Sequence, residues 1–179
     1  MFAHEEVARA VERLINAQSS ANDSGDWTWF VDELYTEDAV YICEYAGTTT
    51  VEARGRAEIK ATHYGRDMRG WEGWSFPYEG YMVNGSQAVT HWYNRGPGLR
   101  PDGSHYQTHG ISFLTYAGNG MFSHQYDLFD LAHQMRLCDE LEDAGLLSPV
   151  LKEIWVTPSK RRLLDMLNRK EGYAPPASS

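Results

Sequence analysis

The sequence predicts one α+β domain in which N-terminal helices precede a curved antiparallel sheet. Two observations predict this class. Apolar residues recur at helical spacing over about residues 4–34, and four aromatic and β-branched runs separated by turn residues occupy about residues 75–130. The chain has 179 residues, of which 42% are hydrophobic, so one domain can bury a sizeable core. We expect an extra helical segment at the C-terminus.

The N-terminal part is predicted to form two amphipathic helices, one strand and a third helix. Residues 4–20 carry one apolar face formed by Val7, Val11, Leu14 and Ile15. Residues 21–25 interrupt that helix, and Asp23 or Ser24 can cap a second one. The second helix has an apolar stripe of Trp27, Phe30, Val31 and Leu34. Residues 39–45 are β-rich and predict a strand, and a third helix is expected over about residues 56–69.

The four runs that follow predict an antiparallel meander with strands at about residues 75–84, 87–95, 105–116 and 121–130. Asn84-Gly85-Ser86 is typical of a tight hairpin turn, because Asn and Gly tolerate positive φ. Residues 96–103 are rich in Gly and Pro and predict a longer connection. Ala117-Gly118-Asn119-Gly120 predicts the last hairpin turn.

The C-terminal part is predicted to be helical. A helix is expected over residues 131–147, with Asp130 at its N-terminus as a structural acid. Thr157-Pro158 predicts a final short helix to about residue 170, because Thr can cap and Pro favours the first helical position. We divide the chain into a domain of residues 1–147 and a helical extension with a loose tail at residues 148–179, which closes the domain or makes a subunit contact.

Composition and charge exclude several classes of function. The formal net charge is −9 and the only basic run is Lys160-Arg161-Arg162, so we expect no nucleic-acid partner. The amphipathic N-terminus is neither a signal peptide nor a membrane span, and Cys43 and Cys138 suit a reducing compartment, which together predict a cytoplasmic protein without a membrane partner. His105 and His109 lie too far apart on a strand to share one metal easily, so no metal site is expected.

Strand parity identifies candidate site residues, because alternate side chains share a face. Asp127 shares a face with Ser123 and Gln125, and a carboxylate among large apolar side chains must be solvated, paired or used. On the second meander strand, His91, Tyr93 and Arg95 share one polar face. That face is either the floor of a polar pocket or a solvent or subunit surface.

Four segments resemble the SnoaL-like members of the nuclear transport factor two-like superfamily. They are Asp26-Trp27, residues 34–41 (LYTEDAVY), residues 55–59 (GRAEI) and residues 126–131 (YDLFDL). The resemblance covers about residues 5–135. It implies a cone-shaped sheet wrapped around the N-terminal helices, with a ligand entering the mouth of the cone. That fold carries dehydratases, isomerases, epoxide hydrolases, cyclases and binding modules.

The resemblance also implies roles for particular residues. Asp127 lies where similar epoxide hydrolases carry an acid, but their neighbouring Arg and Asp correspond here to Tyr93 and Arg95, so the carboxylate pair is incomplete. In dehydratase-like relatives an acid at the position of Asp23 works with a strand histidine, which is His91 or His109 here; Asp23 as a helix cap is the alternative. In steroid-isomerase-like relatives the base is an Asp near the end of the first strand. In this chain only Glu44 can take that role. The candidate substrate-binding residues are Tyr41, Trp27 and Glu44.

Two hypotheses of different classes follow. The first is a cofactor-free lyase (dehydratase or hydratase) or isomerase that uses general acid/base catalysis on a hydrophobic oxygenated small molecule of the polyketide, steroid or terpenoid type, with epoxide hydrolysis as an alternative. The second is a non-catalytic ligand-binding or structural subunit that resembles the small subunit of ring-hydroxylating dioxygenases. We expect a homodimer or a higher homo-oligomer.

Overall fold

A computed structural model describes residues 2–168, which form a six-stranded curved sheet with helices on its concave side and at its C-terminal end. The strands are β1 (Tyr35–Tyr45), β2 (Thr49–Arg54), β3 (Tyr78–Asn84), β4 (Gln87–Leu99), β5 (His105–Gly118) and β6 (Met121–Phe129). Their order is β2-β1-β6-β5-β4-β3. Neighbouring strands are antiparallel except β1 and β6, which are parallel. The predicted α+β class is confirmed, with one parallel pair inside the antiparallel sheet.

The helices before the meander are α1 (His4–Ser24), α2 (Val31–Leu34) and α3 (Arg56–Ala61), and a 3₁₀ turn spans Arg66–Met68. After the meander, α4 (Leu131–Asp143) is followed by a continuous helical segment. That segment consists of α5 (Pro149–Leu151), a π-helical turn (Lys152–Val156) and α6 (Thr157–Asn168). The rest of the predicted final helix and the predicted tail lie outside the described residues.

Helix α1 packs its apolar face against the concave side of the sheet. Its buried residues are spaced three and four apart, as the predicted stripe requires: Val7, Ala10, Val11, Leu14, Ala17, Gln18 and Ala21. All of them except Gln18 belong to one hydrophobic core with Phe30, Tyr35, Leu114 and Phe122. The helix ends at Gly25, which has a φ of 76° and whose N–H donates to the carbonyl of Ala21.

The predicted start of the second helix is wrong. Asp23 and Ser24 belong to the last turn of α1, and α2 begins only at Val31. The intervening chain is held in a turn by Asp26, whose Oδ1 accepts from the backbone N–H and the hydroxyl of Thr28 at 2.9 and 2.8 Å. The predicted apolar stripe from Trp27 to Leu34 is nevertheless buried.

The sequence prediction missed β2. Ala46 and Gly47 have φ values of 49° and 68°, so they form a tight hairpin turn where a strand end was expected. The next residues, Thr49–Arg54, return antiparallel to β1. The predicted third helix is also shorter than expected. It ends at Ala61, and His63 and Tyr64 fold back into the core.

A second core lies between α4 and the C-terminal helical segment, and it contains Leu131, Leu137, Leu141, Leu151 and Val156. Asp130 caps α4 by accepting from the N–H of His133 at 3.0 Å, which confirms its predicted structural role. Gly70 lets the C-terminal segment approach closely. A Cβ on Gly70 would lie 2.7 Å from the backbone nitrogen of Leu151. The predicted domain boundary at residue 147 stays a prediction.

None of the helices in residues 2–168 has the length and apolar character needed to cross a membrane.

Candidate active site

The concave side of the sheet encloses a cavity of about 120 Å³ next to both cores. Most of its wall is aromatic, formed by Trp27, Tyr41, Tyr45, Tyr64, Trp71, Phe76, Tyr78, Trp92, Phe129 and Trp155. Its ionisable wall residues are Asp127, His63 and Asp67, together with tyrosines and the thiol of Cys43. A cavity with this wall suits an apolar ligand that is held by a few polar groups.

Asp127 reaches the cavity because of its register in the middle of the sheet. It pairs with Cys43 on β1 and with Ser112 on β5, so all three side chains form a row on the concave face. Only 7% of its surface is exposed. The hydroxyl of Tyr41 donates to Asp127 Oδ2 at 2.5 Å, and Gln125 Nε2 donates to Oδ1 at 2.9 Å.

A chain of hydrogen bonds ends at Asp127. Tyr78 donates to Gln18 Oε1, Gln18 Nε2 donates to the Tyr64 hydroxyl, and the Tyr64 and Tyr35 hydroxyls are 2.8 Å apart. Tyr35 donates its proton to Gln125 Oε1, so Tyr64 must donate to Tyr35. Each donor therefore points along the chain towards Asp127. The carboxyl group is the final acceptor, and this arrangement favours its ionised form.

Burial nevertheless raises the pKa of Asp127 above its ordinary value, because desolvation disfavours the charged carboxylate. The hydrogen bonds from Tyr41, Ser112 and Gln125 lower the pKa and only partly offset the effect of burial. A carboxyl group with a raised pKa can exchange protons nearer to neutral pH than a carboxylate in water. Asp127 thus has the environment of a general acid or base.

The raised pKa predicts how stability depends on pH. The unfolded chain releases this proton near the ordinary value of 3.8, whereas the folded chain holds it to higher pH. The contribution of Asp127 to the free energy of unfolding is therefore fully present below about pH 4 and is lost as the pH rises through the folded pKa, by about 1.4 kcal/mol per unit of elevation. Thermal unfolding of the wild type and Asp127→Asn from about pH 4 to pH 8 measures it.

We expect the Tm difference, wild type minus variant, to fall with rising pH in that window. Taking the difference removes the contribution of His63, which is common to both proteins. A difference that is constant or rises with pH would contradict the raised pKa of Asp127.

His63 is a second ionisable group on the cavity wall. Its ring stacks on that of Tyr41 with the centroids 4.0 Å apart, and its Nε2 lies 3.1 Å from the carbonyl oxygen of Tyr41. A carbonyl only accepts, so Nε2 carries the hydrogen and a neutral ring leaves Nδ1 as an acceptor. Burial lowers the pKa of His63. Nδ1 lies 3.9 Å from Asp67 Oδ2, which is buried without a hydrogen-bond partner among the described residues.

The structure does not bring four predicted catalytic residues into the cavity. His91, Tyr93 and Arg95 lie on the convex face of β4, whereas the alternate residues Trp92 and Asn94 are buried on the concave face. His109 is also on the convex face, with its Nδ1 2.8 Å from His91 Nε2. The prediction that these side chains share a cavity with Asp127 is wrong. The sequence did not determine which face of β4 is concave. In the structure, the indole of Trp92 lies on the concave face and lines the cavity.

Asp23 and Glu44 also lie outside the cavity. Asp23 is exposed on the last turn of α1 and caps no helix, so neither of its two predicted roles agrees with its position. Glu44 accepts from the hydroxyl of Thr50 at 2.9 Å on the exposed β1–β2 hairpin. Tyr41 and Trp27, in contrast, line the cavity where substrate-binding residues were expected. Their role in binding stays a prediction.

His63 and Tyr64 were not predicted as site residues, because both fall within the range of the predicted third helix, residues 56–69. Gly65 was the available signal, since a glycine after a helical stretch commonly ends it. Tyr35 and Gln125 carried no motif, and only the pairing of β1 with β6 shows that they meet. No three His, Cys, Asp or Glu side chains cluster as metal ligands within residues 2–168.

The comparisons with known proteins agree on the fold. The sequence model of the SnoaL-like domain family matches residues 11–124. A protein from Jannaschia sp. CCS1 that is described as a SnoaL-like polyketide cyclase superposes with a TM-score of 0.57 at 18% identity, over 75% of this chain and 92% of that chain. An epoxide hydrolase from M. tuberculosis superposes with a TM-score of 0.53 at 22% identity, over 75% and 90%.

A hypothetical protein with a ketosteroid isomerase-like fold from Catenulispora acidiphila, solved with trimethylamine, superposes with a TM-score of 0.55 at 13% identity, over 69% of this chain and 89% of that chain. No curated protein sequence matches this chain. At these identities the superpositions show a shared fold alone.

Proposed function

The chain belongs to the SnoaL-like domain family, and from this premise we propose that it is a cofactor-free enzyme that moves a proton on a hydrophobic, oxygenated small molecule. The reaction is of the dehydratase, hydratase or isomerase type. Asp127 is the proposed general base and acid, and Tyr41 holds it in place. The observation that carries the proposal is a buried carboxyl group of raised pKa on the wall of an aromatic cavity.

The proposed chemistry starts with proton transfer from a carbon next to a substrate carbonyl. The carboxylate of Asp127 takes the proton and becomes neutral, which burial favours, while the electron pair of the broken C–H bond forms an enolate. The proton then returns to another carbon in an isomerisation or to a leaving hydroxyl in a dehydration. Nδ1 of His63 accepts a hydrogen bond from a substrate hydroxyl on the same wall.

The size and wall of the cavity support an apolar substrate. A cavity of about 150 Å³ lined by apolar side chains binds benzene in another protein, so 120 Å³ here accommodates about one ring. Structural relatives have been crystallised with small ligands, one with polyporic acid and one with trimethylamine. The fold is therefore compatible with small-molecule binding.

Epoxide hydrolysis is the weaker alternative, although one structural relative is described as an epoxide hydrolase. The described residues that line the cavity include two aspartates and no arginine. Arg95, which was predicted to line the same pocket as Asp127, instead donates to Gln107 Oε1 at 2.9 Å on the convex face. The predicted homo-oligomer stays a proposal.

Proton exchange with solvent tests the proposal without knowledge of the natural reaction. A panel of cyclic and aryl ketones is incubated with the protein in D₂O, and deuterium incorporation next to the carbonyl is followed by NMR. We expect exchange above the buffer rate for the ketones that bind, with saturation and with inhibition by an apolar competitor. Ketones that bind in the cavity without any faster exchange would contradict a proton-transfer enzyme.

A further inference from the structure

A second cavity of about 290 Å³ adjoins the first one. The two cavities share three wall residues, namely Tyr45, Asp67 and Trp155. The remaining wall of the second cavity comes from β2, from the chain after α3 and from the C-terminal helical segment, and it includes Arg66, Arg69 and Arg162. The aromatic cavity and this cationic cavity therefore meet at the side chain of Trp155.

The charge of the second cavity is opposite to that of the protein. The chain has a formal net charge of −9, yet this wall holds three guanidinium groups and one carboxylate. Arg66 Nε is 2.8 Å from Asp67 Oδ1, so these two charges pair with each other. Within residues 2–168 no carboxylate oxygen lies within 4.0 Å of the guanidinium nitrogens of Arg69 or Arg162. Among the described residues, the exposed side chains of Arg69 and Arg162 thus leave two positive charges available to an anion.

The two volumes indicate how a ligand is divided between the cavities. The aromatic cavity holds about one ring, and the wall that it shares with the cationic cavity offers a larger ligand a direction in which to extend, past Tyr45 and Trp155. A ligand that does so places an apolar end beside Asp127 and its other end beside Arg69 and Arg162. Guanidinium groups bind carboxylates through paired, charge-assisted hydrogen bonds.

We infer that the substrates are apolar carboxylic acids whose ring occupies the aromatic cavity and whose carboxylate binds Arg69 and Arg162. This inference rests on the proposed function for the position of the reacting group. A phosphate ester shares the anionic chemistry, but it carries up to two charges close to the Asp67 carboxylate on the shared wall. A single carboxylate fits Arg69 and Arg162 better.

A matched set of probes tests the inference by binding alone. Phenylbutyrate, phenylbutyramide and phenylbutyl phosphate share one apolar body and differ in the charged end. Binding is followed by tryptophan fluorescence, to which Trp71 and Trp155 on the cavity walls contribute, and by calorimetry. We expect the acid to bind about tenfold more tightly than the amide at low salt, with the preference declining as ionic strength rises.

The variants remove the two proposed anchors and a neighbouring charge. The double variant Arg69→Gln/Arg162→Gln is expected to lose about tenfold in affinity for the acid and less than twofold for the amide. Arg161→Gln is the control for the single variant Arg162→Gln, because both residues are on the same helix and each variant removes one positive charge. Its guanidinium is 85% exposed and lies 4.0 Å from Asp165, outside the cavity. We expect this control to bind all three probes as the wild type does.

The outcomes separate this inference from the proposed function. Equal binding of acid and amide by the wild type, or an equal loss in the double variant and the control, overturns the inference and leaves proton transfer in the aromatic cavity intact. Tighter binding of the phosphate than of the acid overturns the carboxylate assignment. The selective loss in the double variant supports the inference even if Asp127→Asn leaves ketone exchange unchanged.

Discussion

Asp127→Asn is expected to lower the rate of proton exchange by about 10²–10⁴-fold, the range that a positioned general base contributes. An amide has nearly the shape of the carboxyl group but cannot take up the substrate proton at neutral pH. Ligand affinity should change much less, because the aromatic wall is untouched. The measurement is NMR-detected deuterium incorporation with the ketones that the wild type exchanges, together with their Kd values.

Asp130→Asn is the matched control, since Asp130 is exposed, caps α4 and is only three residues away from Asp127. Asn is also a good capping residue, so this variant should keep both the fold and the exchange rate. His91→Ala adds a second control on the convex face. A similar loss in Asp127→Asn and Asp130→Asn, or no loss in Asp127→Asn, would remove Asp127 from the reaction.

Gly70→Ala is expected to have the largest effect on stability. An added Cβ would lie 2.7 Å from the backbone nitrogen and 2.9 Å from the Cα of Leu151, and backbone atoms cannot move aside as a flexible side chain can. The φ of +84° adds a strain of about 1–2 kcal/mol for a non-glycine residue. The clash adds about 1–3 kcal/mol to the loss in the free energy of unfolding.

Gly103→Ala separates the two causes, because Gly103 has the same φ of +84° and no atom within 4 Å of the added Cβ. Chemical denaturation of both variants gives the clash as the difference between their losses. We also expect faster proteolysis within the C-terminal helical segment and weaker ligand binding in Gly70→Ala, since Trp155 on that segment lines the cavity. Equal losses in both variants would show that the segment is not held closely at Gly70.

The sequence predicts the fold well where local patterns determine it. The stripe of α1 and the turns at Asn84-Gly85 and Asn119-Gly120 depend on neighbours in the chain, and these elements form as expected. The short α2 and the missed β2 also depend on local features, namely the Asp26–Thr28 hydrogen bonds and the turn at Ala46-Gly47, but these features interrupt or extend a pattern in a way that helical and strand periodicity alone do not detect.

The site was predictable only in part. The alternation of side chains along β6 correctly predicted that Asp127 and Gln125 share a face. It also predicted Ser123 on that face, but Phe122 lies there instead, because the β5–β6 register shifts near Tyr116. For β4, the alternation of side chains defines two faces but does not show which face is concave. The polar face was predicted to line the pocket, and that prediction is wrong. His63 entered the cavity through a chain reversal after α3 that helical periodicity does not detect.

The parallel pairing of β1 with β6 has a consequence for how the protein folds. Hairpins β3–β4, β4–β5 and β5–β6 join strands that are close in sequence, whereas Tyr41 and Asp127 are 86 residues apart. Closing that long loop is slow and entropically costly, so β1 is expected to join the sheet after the meander has formed. The bond between the Tyr41 hydroxyl and the Asp127 carboxyl is then among the last to form during folding. A chain that is still being synthesised can form β1 and β2, but it has no site until residue 127 and the strand around it have emerged.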